Sequence, residues 1–484
     1  MKYLLSIIAL CAALLIGPIT AGAGPIVSND WKPDELTKYK QPFDDPSPIF
    51  TKTNHYQKLL KKETWDALIH DQEKAKVAWN KMRGFSNDEV VGKVAPEITP
   101  GKYTLADKKR LGFDKLMPDV FYDRFNEPGG QGQNLLGNFT EFQVIPPRQV
   151  YGALSLAEAT MKYDGKAKLG PDGYMLPGQL YNGFAFARPS GPQAGWQIVY
   201  NSLAEQPNYY DSGASIIWFI GVDKDFKKDT DGLTRYYQLK LCRRVKQAPL
   251  GLWYNKKAEK RDERWVSFVE NLAPRDQYGT RYVLTKYNHP KKLNNMLYYT
   301  PLLRRIRKYS STDTQDQYPG LDQTYDDING LDQKLNPKVF PYEVKLLGER
   351  EVLIPFVTTT GAPYLDTKSG GYPWRSVQLE RRMVYEVEMK QLDSTYVYSK
   401  RMVYVDKETL QFLYYKCYDQ KGNLWRTFHL YYSWVPDTGS FTYYQDFQHD
   451  LIDEHSTFNI SYDWPAEDAN RSEYGPKRLM RSVK

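Results

Sequence analysis

His449-Asp450-Leu451-Ile452-Asp453-Glu454-His455 places two imidazoles and three carboxylates within seven residues. Such nitrogen and oxygen donors suit a borderline metal ion. A spacing of six, however, turns the two His to different faces of a helix and separates them by roughly 20 Å on a strand. Only a folded-back loop would unite them, so a solvated loop or helix end without metal is the default. Glu386 with Glu388, and Asp326 with Asp327, could serve glycoside chemistry, which needs two acids about 5 to 9 Å apart. Outward-facing strand charges and acidic loops are the commoner use of such pairs. The chain has no G-x-S-x-G elbow, H-E-x-x-H, phosphate loop or G-x-G-x-x-G, and only 6 His, which lowers the case for a hydrolase. No catalytic residue and no cofactor is therefore assigned.

Two further groups point to binding. Arg304, Arg305 and Arg307, in the run Arg304-Arg305-Ile306-Arg307-Lys308, could meet an acidic headgroup or partner, since guanidinium matches phosphate through paired hydrogen bonds. Equally, they could guard the edge of a sheet. The Gly/Pro-rich loop from Gly170 to Pro189 carries Tyr174, Met175, Tyr181, Phe184 and Phe186. These side chains could line the mouth of an apolar cavity or form a lid packed on the core. Tyr174, Tyr181, Phe184 and Phe186, with Tyr298, Met383, Tyr385 and Val387 from neighbouring strands, are the candidate ligand-binding residues.

The elements that would position them alternate apolar and polar residues at period two, the mark of strands with one buried face. Met383, Tyr385, Val387 and Met389 point one way, and Val384, Glu386 and Glu388 the other. Further strands are expected at Thr280 to Tyr287, Met296 to Tyr309, Glu351 to Val357, Lys400 to Val405, Leu410 to Tyr418 and Leu424 to Tyr432. The turn sequences Asp406-Lys407-Glu408-Thr409 and Asp419-Gln420-Lys421-Gly422-Asn423 make the last three hairpin partners. The result is a mainly β, antiparallel meander whose edges must be closed, charged or covered. Helices are expected near Lys61 to Lys81, with Trp65, Leu68, Val77 and Trp79 on its apolar positions, and over Leu105 to Leu116. Those at Ala153 to Tyr163 and Ala194 to Leu203 would cover the sheet. The flexible Gly129-Gly130-Gln131-Gly132-Gln133 divides a helical and irregular region, 24–132, from a sheet domain, 133–470, with a tail at 471–484.

Lys2, the apolar run from Leu4 to Ile16 and the small residues ending at Ala21-Gly22-Ala23 form a secretory signal peptide, residues 1–23, with cleavage expected after Ala23. The run is about 13 residues, short of the roughly 20 needed to span a bilayer. This places the mature chain in the periplasm. Cys242 and Cys417 remain there and could pair or stay as small buried hydrophobes. Lys2 is the leader's only charge, so 66 basic residues become 65 against 58 acidic, a balance of +7. That is too mild and too dispersed to argue for nucleic acid. The unusual feature is 39 Tyr, 20 Phe and 11 Trp, and a surplus of tyrosine, apolar with a polar tip, suits half-wet sheet faces and cavity mouths.

Several strings resemble the bacterial domain-of-unknown-function family 1329. They are Tyr299-Thr300-Pro301-Leu302-Leu303-Arg304-Arg305-Ile306-Arg307-Lys308, Tyr318-Pro319-Gly320-Leu321-Asp322-Gln323-Thr324-Tyr325-Asp326-Asp327, the stretch Gly183 to Asn201, Leu347 to Phe356, and Arg381 to Arg426 with Tyr398 to Thr409 at its heart. The resemblance spans roughly residues 140 to 470. It implies kinship with LolA/LolB-like outer-membrane lipoprotein-sorting proteins: an incomplete antiparallel β-barrel with covering helices, here with a helical N-terminal extension. The implied role is carriage of a lipid or other hydrophobic small molecule, with an envelope exporter or outer-membrane protein as partner and an association with the outer membrane. No family catalytic residue carries over. Two other readings stay open: an outer-membrane β-barrel, and a carbohydrate-binding or carbohydrate-active protein using Trp253, Trp374, Trp425 and Trp434 as platforms.

Overall fold

The computed structural model describes residues 60–127, 135–204, 207–310, 314–318, 321–331, 334–358, 364–366, 368–466 and 474–480. The expected leader, Cys11 within it, and the glycine-rich boundary at Gly129 to Gln133 lie outside the described residues.

The chain is built on one large curved sheet. Its strands are β1 (Gly101–Thr104), β2 (Glu141–Val144), β3 (Ser212–Val222), β4 (Lys228–Lys240), β5 (Glu263–Ala273), β6 (Arg281–Tyr287), β7 (Asn295–Thr300), β8 (Arg305–Tyr309), β9 (Tyr342–Ile354), β10 (Gln378–Gln391), β11 (Lys400–Asp406), β12 (Phe412–Tyr418), β13 (Leu424–Val435), β14 (Ser440–Asp450) and β15 (His455–Pro465). They pair in the order β1-β2-β10-β11-β12-β13-β14-β15-β3-β4-β5-β6-β7-β8, with β9 beside β10. The path ends at β1 and β8 without joining them, so the sheet is open and no barrel closes. A further short strand, Val357–Thr358, joins β13, and all of the pairings are antiparallel except that one and β2 with β10. The mainly β, antiparallel sheet expected from the alternation is the one found, and it is left unclosed as the family resemblance implies.

Several boundaries differ for physical reasons. The single strand expected from Met296 to Tyr309 is a hairpin: β8 folds back on β7, with Arg305 opposite Thr300 and Arg307 opposite Tyr298, because Pro301 stands where a ladder N–H would be needed. The helix expected from Lys61 to Lys81 is two, α1 (Lys62–Leu68) and α2 (Gln72–Arg83). Asp71 ends the first possibility of continuity by capping α2, accepting from Lys74 N at 3.1 Å. Gly84 closes α2 in the left-handed conformation that glycine tolerates, φ 67°. Val77 is 68% exposed rather than inward. The Leu105 to Leu116 helix is likewise two short turns, Leu105–Lys108 and Phe113–Leu116. Helices α3 (Leu154–Tyr163) and α4 (Ala194–Val199, running into the irregular turn Tyr200–Ala204) fall where expected. Cys242 and Cys417 are both buried and do not bond to each other.

A continuous core joins the N-terminal helices to the sheet, from Trp65 and Trp79 to Val384, Phe441 and Leu479. The half of the sheet around β10 to β12 is held by buried charge. Arg382, fully buried, donates to Asp406 at 2.8 and 3.1 Å and to Glu408 at 2.9 Å. Glu408 in turn accepts from Asn87 N at 3.0 Å and Val150 N at 2.8 Å. The turn Asp406 to Thr409 thus ties the N-terminal segment to the sheet. Burial pushes the Glu408 carboxyl up to about 7, against the pull of Arg382.

Candidate ligand-binding site

The other half of the sheet carries strands with two buried faces. In β3, Ile216, Trp218 and Ile220 enter the apolar core, while Ser215, Ile217 and Phe219 point to a cavity of about 190 Å³ on the opposite face. Cross-strand register extends that face. Asp463 on β15 is opposite Ser215 on β3, Ser215 is opposite Tyr236 on β4, Tyr236 opposite Val269 on β5, and Val269 opposite Tyr282 on β6. All five line the cavity. Asp446 on β14, Asn459 on β15 and Phe219 form a second row. Walls drawn from so many successive strands require the sheet to curl around the hollow.

The remaining wall is the segment Tyr318–Ile328, which contributes Tyr318, Leu321, Gln323, Tyr325 and Ile328. Three acids pin this cover to the sheet. Asp322 faces the His455 imidazole at 2.7 Å and accepts from Thr457 Oγ1 at 2.7 Å. Asp326 accepts from Tyr396 Oη at 2.7 Å. Asp327 accepts from Tyr398 Oη at 2.9 Å and from the Arg401 guanidinium at 3.0 Å, and it also caps the turn Tyr325–Gly330 from Thr324. Gln448 Nε2 donates to Gln323 at 2.7 Å and to Asp446 at 3.2 Å, linking cover and wall. The hydrogen bonds to Asp322 and the nearby Asp229 raise the His455 imidazole to about 9. The His449 ring, buried and bonded to Ser456 Oγ at 2.6 Å, is driven down to about 3 by desolvation.

The cavity is apolar along Ile217, Phe219, Trp265, Leu284 and Met296, and polar at one end. There, desolvation lifts both Asp446 and Asp463 to about 7, although Asn459 and Gln448 donate to the former and Ser461 and Ser215 to the latter. Near the other end Tyr282, Tyr318 and Tyr325 form a cluster, Tyr318 and Tyr325 with ring centroids 5.2 Å apart. Burial raises all three phenols and keeps them neutral. Interior apolar walls with a few placed polar groups are the usual composition of a ligand pocket.

The sequence-derived candidates are dispersed. Tyr298 is opposite Tyr282 and packs on its ring at 5.1 Å, beside the cavity. Tyr174 is buried against Trp196 at 4.5 Å, its hydroxyl donating to Phe340 O. Tyr181 lies under the Arg243 guanidinium at 3.9 Å. Phe184 packs on Trp79, and Phe186 is half-buried against the core. Tyr385 and Val387 are core residues of β10 and Met383 is half-buried there. The structure therefore brings Tyr298 alone of this group next to the cavity. Arg304, Arg305 and Arg307 are exposed on the β7–β8 hairpin, whose tip presents Leu302 at 92% exposure. His449 and His455 stand on the paired strands β14 and β15, with His449 opposite Ser456, and not in a solvated loop. Asp326 and Asp327 are buried anchors and not surface acids. Of the four tryptophans considered as sugar platforms, Trp374 and Trp434 are buried and Trp253 and Trp425 half-buried. Sequence reading missed β3, β4, β5, β14 and β15, the strands that form most of the cavity. The cover, by contrast, coincides with the string Tyr318 to Asp327.

The structure is thus an open antiparallel sheet curled around a largely apolar hollow. The chain belongs to the family described as protein of unknown function (DUF1329), whose model matches residues 140–478. None of the curated proteins is similar to it. Among solved structures it is similar to a DUF1329 family protein from Desulfovibrio piger, at 15% identity over 60% of this chain and 100% of that one, TM-score 0.43. A domain described as an outer membrane lipoprotein-sorting protein from Vibrio parahaemolyticus shares 18% identity over 56% of this chain and 92% of its own, TM-score 0.39. A LolA superfamily protein from Nitrosomonas europaea shares 13% identity over 60% and 100%, TM-score 0.36. Among the described residues, no helix is long and apolar enough to cross a membrane.

Proposed function

We propose that this chain is an exported protein of the bacterial envelope that holds a lipid or other hydrophobic molecule beneath Tyr318–Ile328 and passes it to a partner, an envelope exporter or an outer-membrane protein. The observation that carries the reading is the cavity itself, about 190 Å³ with Ile217, Phe219, Trp265, Leu284 and Met296 on its walls. Shelter from water is worth about 0.8 kcal/mol for each buried methylene, and such a site needs no catalytic group. Release needs only the cover to move. The exposed Arg304, Arg305 and Arg307, beside exposed Leu302 and Leu303, offer a surface for an acidic lipid headgroup during transfer.

The test is uptake of the neutral fluorophore N-phenyl-1-naphthylamine by the mature protein, with mass spectrometry of its organic extract. Saturable uptake is expected, and Ser267→Trp, which fills the cavity from β5, should weaken it by about tenfold or more. A folded wild-type protein that takes up no probe and carries no extractable guest overturns the reading.

A further inference from the structure

The two ends of the cavity differ in charge. Asp463 and Asp446 occupy one end, and Lys286 is the sole basic side chain among the described lining residues. Lys286 lies on β6, four strand steps from β15, roughly 19 Å along the sheet, with its ammonium against the Trp265 ring at 5.8 Å. Among the described residues the groups facing Asp463 are neutral: Ser461 and Ser215 donate to it, and the buried Tyr209 phenol is its neighbour. Asp446 receives Asn459 and Gln448, the latter bridging to Gln323 of the cover. Elsewhere in the fold a buried acid is commonly met by a guanidinium, as Glu270 is by Arg281 at 2.9 Å and Glu351 by Arg381.

Resting on the guest-binding reading above, we propose that the natural guest is an amphiphile with a protonated amine head, which Asp463 receives while its apolar body lies along Ile217, Phe219, Trp265 and Leu284. An ammonium supplies the opposite charge that the desolvated Asp463 carboxylate does not meet among the described residues. A carboxylate or phosphate head would be repelled there once the acids ionise. Both acids titrate near about 7, so preference for the ammonium must grow as pH rises through neutrality.

The experiment displaces bound N-phenyl-1-naphthylamine from the mature protein with decylammonium, decanol and decanoate, three guests of one chain length, at about pH 5.5 and about pH 8.5, either side of the titration. At the higher pH decylammonium is expected to compete about tenfold better than decanol, and decanoate worse than both. The margin should shrink severalfold at the lower pH and vanish in Asp463→Asn, each competition being measured against that variant's own probe affinity. Equal competition by all three at the higher pH, or a preference that persists unchanged in Asp463→Asn and in Asp446→Asn, overturns the assignment. The wild-type pH series decides the matter even if a variant fails to fold. Absence of probe uptake by the wild type would instead defeat the guest-binding reading.

Discussion

Raising the pH from about 6 to about 10 should loosen the cover through a single residue, His455, whose ordinary value near 6.5 is lifted to about 9. The hydrogen bond that the imidazole donates to Asp322 is the largest cause, with Asp229 adding to it and burial opposing. A folded-state value above the unfolded one means that the proton is bound more tightly in the fold. The stabilisation is therefore complete below about 6.5, declines between 6.5 and 9, and is gone above 9. At 1.36 kcal/mol for each pH unit, the gap between 6.5 and about 9 amounts to about 3 kcal/mol, an upper figure because the side chain keeps some contact with water. The assay is thermal unfolding of wild type and His455→Gln across that pH range. Comparing the two removes the contributions of tyrosine and cysteine ionisation common to both. The stability gap should be widest near pH 6 and close to nothing near pH 10, with the amides of Leu321 and Asp322 exchanging faster in the variant at low pH. Asp322 N donates to Thr457 Oγ1 at 3.0 Å, so it reports directly on the cover. Unfolding curves separated by the same amount at every pH would refute the latch.

Arg382→Met should destabilise the fold by about 3 to 5 kcal/mol at neutral pH, because Asp406 and Glu408 would stay buried without their cation. The loss should be smaller near pH 5, below the value of about 7 to which burial lifts the Glu408 carboxyl, and chemical denaturation at both pH values checks this. Replacing Arg304, Arg305 and Arg307 together by Glu should abolish co-sedimentation with anionic vesicles, at about 1 kcal/mol per basic residue near such a surface, and leave probe uptake intact. Unchanged sedimentation would mean the hairpin does not meet lipid.

The parts of the fold legible in the sequence are those with a half-wet face or with marked turns. Strand β10 alternates because Glu386 and Glu388 sit half-buried between core residues such as Val387 and Met389, whereas β11 to β13 are buried almost throughout and are announced by the Asp, Gly and Asn of their turns. The stretch Ser212 to Val222 hides its period. Its core face holds Ile216, Trp218 and Ile220, and its cavity face holds Ile217 and Phe219 as well, so both sides are apolar and the stretch reads as a continuous hydrophobic run. Periodicity cannot distinguish such a strand from a buried helix. A strand that lines an interior hollow is thus the kind that pattern reading finds hardest, which is why the candidates placed on strands fell on β7 and β10 and Tyr298 alone lies beside the cavity.

The same reasoning explains why the cover was visible as a string yet opaque as a structure. Asp322, Asp326 and Asp327 look like a solvated acidic loop, because composition carries no trace of the partners they meet more than a hundred residues away in His455 and Thr457, or some seventy away in Tyr396, Tyr398 and Arg401. Once paired, these acids hold the cover by directional bonds at its two ends. Its underside, Leu321, Tyr325 and Ile328, faces the hollow, where Tyr325 also bonds to Tyr282 of β6. The burial of Asp322 beside a titrating imidazole makes that fastening sensitive to proton loss, whereas Asp327 is held by the Arg401 guanidinium, which keeps its proton across the same range. Loosening should therefore begin at the His455 end, with the segment around Asp327 serving as the hinge that stays in place.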